Sequence, residues 1–178
     1  MAIGGLSGTG KSILARSLAP SLGPLPGAVI LRTDVIRKQL FRVNEADRLP
    51  ESAYQPKTNR QIYEILEQQA FRILSQGHSV VTDAVFADEG ERIAIRDVAR
   101  KRNVRFAGVF LRAGLETRLK RIGRRESDAS DATPAIAERQ DQYDIGKLDW
   151  TVVDASGTPE QTLTRCQAQI AELWPGRG

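Results

Sequence analysis

Residues 5–12 read GLSGTGKS, which satisfies G-x-x-x-x-G-K-[ST] without a mismatch. No other stretch limits the fold so strongly, because the pattern works only where a strand hands the chain to a helix through a curled loop. Met1 to Gly4 supplies a short apolar strand, and a helix is expected from near Gly10. Glycines let successive amides turn inward, and the helix N-terminus adds positive potential, so a polyphosphate would be held by fixed dipoles. Candidate nucleotide-binding residues are therefore Gly5, Leu6, Ser7, Gly8, Thr9, Gly10, Lys11, Ser12 and Ile13. Lys11 would reach the β and γ phosphates, and the Ser12 hydroxyl would ligate Mg²⁺.

A loop of this kind needs a parallel sheet behind it, and the rest of the chain has that pattern. Short apolar, β-branched runs at Ala28–Thr33, Ser79–Asp83, Val104–Leu111 and Thr151–Asp154 alternate with segments of helical period. The fold class expected is α/β, with five strands covered on both faces. Gln61 to Leu74 carries one apolar stripe and is a helix, ended by Gly77. Thr158-Pro159-Glu160-Gln161 has the cap, proline and glutamine that open a last helix. At 178 residues a single domain is expected over 1–178. Only three residues precede the glycines, so a chain cut from a longer protein stays open beside a complete one.

Ligands of an open parallel sheet sit beyond the carboxyl ends of its strands, where Asp34, Asp83 and Asp154 each follow an apolar run. Asp154 lies in VVDASG, which mimics a GTPase motif, but no guanine-reading N-K-x-D is present. Its loop, with Ser156 and Gly157, would lie beside a nucleotide base. Asp83 could hold Mg²⁺ or orient an acceptor. Its neighbour is Ala84 rather than a glutamate that would position hydrolytic water, which speaks against an ATPase. Asp34, in LRTDVIRKQLF, is the candidate general base for phosphoryl transfer to a hydroxyl, and also a candidate cap for a helix Val35–Phe41. Arg37, one turn on, could bind an anionic group of the acceptor.

A second basic element lies at Leu115–Arg125. Leu115, Leu119 and Ile122 make one stripe, and Arg118, Arg121 and Arg125 are read as a second, free one. With the polar ESDASDAT and a helix opening at Thr133-Pro134, residues about 115–140 are expected to form a lid that closes over ATP and neutralises the transferring phosphoryl.

Composition bounds the partners. Hydrophobic residues at 40% and charged residues at 27% describe an ordinary globule, with no apolar run near the roughly 18 residues a membrane span needs. The lone Cys166 and the missing secretory pattern favour a reducing, cytoplasmic setting. A net charge of +4 suits an anionic ligand without implying nucleic acid. His78, Cys166, Trp150 and Trp174 read as structural.

Taken together, GGLSGTGKS, LRTDVIRK, VVTDAVF with Glu91-Arg92, KRIGRR and VDASGTPEQ resemble the P-loop kinases that include polynucleotide 5′-kinases, chloramphenicol phosphotransferase, zeta toxins and gluconate kinase. The strongest resemblance is to a bacterial group of predicted ATP-binding kinases often fused behind an aminoglycoside-phosphotransferase-like domain. This resemblance implies a three-layer sheet of order 2-3-1-4-5, ATP with Mg²⁺, and γ-phosphoryl transfer to a hydroxyl. It implies Asp34 as base, Lys11, Arg121 and Arg125 as catalytic cations, and Arg37, Asp83 and Arg92 toward the acceptor. Ser12 and Asp83 would serve the metal. DAVFADEGER departs from the polynucleotide kinases, which leaves the acceptor open. A small-molecule kinase leads, with a polynucleotide 5′-kinase and a nucleotide-binding regulatory or ATPase module as alternatives.

Overall fold

Five short strands form one parallel sheet of order β2-β3-β1-β4-β5. They are β1 Ala2–Gly5, β2 Val29–Arg32, β3 Val80–Asp83, β4 Gly108–Arg112 and β5 Thr151–Asp154. The computed structural model describes residues 1–124 and 130–173, so Arg125 and Trp174 lie outside the described residues. β1 is central, with Ile3 opposite Asp83 on one side and Val109 on the other. Its four residues are matched by four in β2, β3 and β5, so a short first strand is ordinary in this sheet.

Alternation along the strands sends side chains to two cores. Ala2, Val80 and Phe110 face a cluster with Ile36, Ile62, Leu66, Phe86 and Trp150. Ile3, Val81, Val109 and Leu111 face another, with Leu14, Leu18, Val153, Cys166 and Ile170. The first core is covered by α2 Thr33–Leu40, α3 Pro56–Ser75 and α4 Glu89–Lys101, and the second by α1 Lys11–Leu18 and α7 Pro159–Leu173. Cys166 is fully buried and its thiol is pushed up to about 12 by desolvation, as packing requires and reactivity does not.

Several boundaries differ from the sequence reading for local reasons. β4 starts at Gly108, not Val104, where its pairing with β1 begins opposite Ala2; Trp150 lies against that glycine, and a Cβ there would meet the indole at 2.5 Å. α3 begins five residues early, at Pro56, whose fixed φ suits a first helical position. α4 was not foreseen, although Asp88 and Glu91 form its reciprocal capping box. The last helix opens as expected, with Gln161 Oε1 accepting from Thr158 N and Thr158 Oγ1 accepting from Gln161 N.

Two further helices, α5 Leu115–Gly123 and α6 Pro134–Asp141, stand over the carboxyl end of the sheet. Thr133 caps α6 by accepting from Ile136 N at 3.3 Å. Among the described residues no helix is long and apolar enough to cross a membrane.

Candidate active site

Between β1 and α1 the loop curls as its glycines demand. Gly5, Gly8 and Gly10 all have positive φ, at 139°, 86° and 95°. At Gly8 space is as decisive as torsion, since a Cβ would lie 2.7 Å from the Arg118 carbonyl of α5. Lys11 Nζ donates back to Leu6 O at 3.2 Å, which holds the ammonium across the mouth of the loop. Ile13 projects outward and is 48% exposed, so of this residue only the backbone is available to a nucleotide; its amide donates to Gly10 O.

Beyond the loop opens a cavity of about 640 Å³. Ser7, Lys11 and Ser12 line its phosphate end, Asp34 and Asp83 its floor, and Arg37, Tyr54, Tyr63 and Glu91 its far end. Asp83, buried at the tip of β3, accepts from Ser12 Oγ at 2.6 Å and from Arg32 Nε at 3.2 Å, while Arg32 also donates to Ser12 Oγ at 3.1 Å. A guanidinium thus stands against the hydroxyl and carboxylate assigned to Mg²⁺. These are hard oxygen donors already gathered around positive charge, and they fit that ion.

Asp34 is not a cap. Arg32 occupies the cap position of α2, and Asp34 sits in the first turn with its carboxyl on the cavity. Burial raises its pKa, and the Asp83 charge raises it further; Lys11 and Arg32 pull the other way. Arg37 is buried, donating to Ala53 O at 2.6 Å and lying 4.8 Å over the Tyr54 ring. Its Nε has no partner, and among the described residues no carboxylate pairs with it. Lys38, next along α2, is fully buried and donates to Asp47 O and to Asp131 Oδ1. Asp131 also accepts from Leu49 N and Tyr54 OH, so the segment before α6 is pinned to the wall of the cavity.

Two expectations need correction. Arg92 does not reach the cavity: it is fully buried and donates to the carbonyls of Phe86, Ala87, Ile145 and Lys147. Those four bonds make it a clamp between two loops, and its neighbour Glu91 faces the cavity instead. Arg118 is not free either. It lies three residues after Leu115 and four before Ile122, inside the buried stripe of α5. Its guanidinium binds Ser7 O, Asp141 Oδ1 and Ala137 O, so it ties the described parts of α5 and α6 to the phosphate loop. Arg121 is half-buried, donating to Gly157 O at 2.6 Å and reaching the Gly8 and Thr9 carbonyls. The structure therefore gathers Arg121, Gly157 and, one residue away, Ser156 at the rim of the loop.

With this loop on this sheet, one comparison is decisive: residues 1–144 match AAA_33, the AAA domain. The chain belongs to the AAA_33 family. Relatives include the uncharacterized proteins Rv2004c of Mycobacterium tuberculosis and Mb2027c of Mycobacterium bovis, each 30% identical over 97% of this chain. The chain spans 34% of their length. Among solved structures, a gluconokinase from Sinorhizobium meliloti superposes with TM-score 0.65 at 18% identity, covering 97% of this chain and 91% of that one. A sugar kinase from Janibacter gives 0.64 at 18%, covering 98% and 94%, and the Deinococcus radiodurans tunicamycin resistance protein gives 0.59 at 18%, covering 96% and 94%. The fold of this AAA_33 member is that of P-loop kinases.

Sequence reading missed Arg32, Lys38, Tyr54, Glu91, Asp131 and Gln140 as cavity or wall residues of this AAA_33 domain. Signals existed for Arg32, which ends a strand beside Asp34, for Lys38, which follows Arg37, and for Glu91, which stands before Arg92; Tyr54, Asp131 and Gln140 converge from distant segments. Glu91 is raised to about 7 by burial, against a hydrogen bond from Tyr63.

Proposed function

We propose that this protein is an ATP- and Mg²⁺-dependent kinase that transfers the γ-phosphoryl group to a hydroxyl of a small anionic acceptor. The observation that carries this reading is one cavity shared by Lys11, Ser12, Asp34 and Arg37. Lys11 and the loop amides would bind the β and γ phosphates. Arg121, with Ser156 and Gly157, would flank the nucleoside side of the loop. Ser12 and Asp83 would hold Mg²⁺, which neutralises charge on the phosphates when bound.

Asp34 would orient the acceptor hydroxyl and take its proton as the oxygen attacks phosphorus and the bond to ADP breaks. A carboxyl with raised pKa is the stronger base, and it acts only when ionised. Arg37 at the far end, which pairs with no carboxylate among the described residues, favours an acceptor carrying a carboxylate or phosphate. A closed wall made by Lys38, Asp131 and Tyr54 suits a small molecule better than a polymer. The gluconokinase and the sugar kinase among the structural neighbours support a polyol-like acceptor.

The test is a screen with γ-labelled ATP over polyols, sugar acids, sugar phosphates and 5′-hydroxyl oligonucleotides, with Asp34→Asn alongside. Label should enter a small anionic polyol and fail to do so with the variant. Label entering only oligonucleotides, or none entering while nucleotide binding alters affinity for a partner, would replace this reading with one of its alternatives.

A further inference from the structure

Gln140 lies on α6, 133 residues from Ser7, yet its Oε1 accepts from the Ser7 backbone amide at 2.8 Å. Since a backbone N–H can only donate, this bond fixes which end of the carboxamide is oxygen. The residue is 92% buried and lines the main cavity. Its Nε2 finds no acceptor among the described residues and is not sealed in, so the NH₂ group opens on that cavity.

The surroundings hold this amide still. Arg118, 1% exposed, ties Ser7 O to Ala137 O and Asp141 Oδ1, the residues three before and one after Gln140. The Ser7 backbone is thus gripped from both sides, its N–H by Gln140 and its C=O by Arg118. Because C=O and N–H of one trans peptide point opposite ways, drawing Ser7 O outward turns the Gly8 N–H into the cradle. A preorganised donor beside a loop of inward amides is an arrangement that stabilises developing negative charge.

We infer that Gln140 is a phosphate-contacting residue, whose carboxamide NH₂ donates to the terminal phosphate of the bound triphosphate. This rests on the proposed kinase reading, in which Lys11 marks the β and γ phosphates and Asp34 lies beyond them in the same cavity. Gln140 is on that inner side, whereas Arg121 and Gly157 sit at the outer rim. A contact to the terminal phosphate must therefore distinguish a triphosphate from a diphosphate.

The experiment is calorimetric titration of the parent, Gln140→Met and Gln140→Glu with ADP and with a non-hydrolysable ATP analogue, both with Mg²⁺. Gln140→Met should weaken the analogue by about 10-fold to 100-fold more than it weakens ADP, the loss of one hydrogen bond to a charged group on top of any loosening of the loop that both nucleotides feel. Gln140→Glu retains an acceptor for Ser7 N–H, so it keeps α6 docked, and it should weaken the analogue at least as much by repulsion. Equal weakening of both nucleotides would mean that Gln140 only braces the loop, and no weakening would mean no contact; either overturns the inference. A parent protein that bound neither nucleotide would overturn the kinase reading, and this inference with it.

Discussion

The two ends of the cavity are built by opposite means. The phosphate end is eight consecutive residues whose function resides in backbone amides, Lys11 and Ser12. The proposed acceptor end draws Asp34, Arg37, Tyr54, Tyr63, Glu91 and Asp131 from four separate stretches of chain. A contiguous backbone device tolerates little change and betrays itself in any sequence that carries it. A side-chain device assembled by the fold can alter its ligand one residue at a time, and leaves only scattered traces.

The largest effect expected separates chemistry from grip. Asp34→Asn should lower kcat by about 10²-fold to 10⁴-fold, the usual worth of a positioned base, with ATP-analogue affinity nearly unchanged. A variant that turned over at the parent rate would move the base elsewhere. Because burial and Asp83 raise the Asp34 pKa, kcat/KM should fall on acidification through a pKa above the ordinary carboxylate range. An acid limb at the usual aspartate value would show that Asp34 is not the group titrating.

Next come two arginines that look alike in sequence. Arg92→Met would strand four carbonyls, and urea unfolding should register a loss of about 3–5 kcal/mol, as for breaking other buried charged networks. Arg37→Met strands one carbonyl and should cost stability about 1 kcal/mol, while raising KM for the anionic acceptor by about 10-fold to 100-fold with kcat little changed. Reversed outcomes, with Arg92 governing KM and Arg37 governing stability, would exchange their roles.

The smallest effect concerns Glu91. Its pKa of about 7 in the fold, against 4.5 for an ordinary glutamate, means that folding favours the protonated form. That stabilising contribution is complete below about pH 4.5 and is lost as pH rises through 7. Gln keeps the capping role on α4 but cannot ionise, so Glu91→Gln should unfold like the parent at pH 4 and be more stable at pH 6 by about 2 kcal/mol. Equal melting temperatures at both pH values would place Glu91 in a more hydrated setting.

How much of this was legible follows from the same contrast. Gly5 to Ser12 fixes its strand, turn and helix locally, so the loop, the five strands and Asp34 at a strand end could be read from residues, while the sheet order came from the family resemblance. Arg118 was misread as free because it was assigned by charge, although its spacing from Leu115 and Ile122 places it in the buried stripe. Arg92 was misread because the resemblance carried it toward the acceptor, yet carbonyls left by two loops without regular structure needed a donor. Lys38–Asp131 and Ser7–Gln140 join residues 93 and 133 apart, and no pattern in one sequence announces such pairs.

The central claim is that the loop presents the end of a triphosphate to Asp34. A crystal structure with a non-hydrolysable ATP analogue and Mg²⁺ tests it most directly. The account predicts the terminal phosphate between Lys11 and Asp34, with the base on the side of Arg121 and Gly157. A base lodged in the Asp34 cavity, with the phosphates leading away from it, would contradict the account.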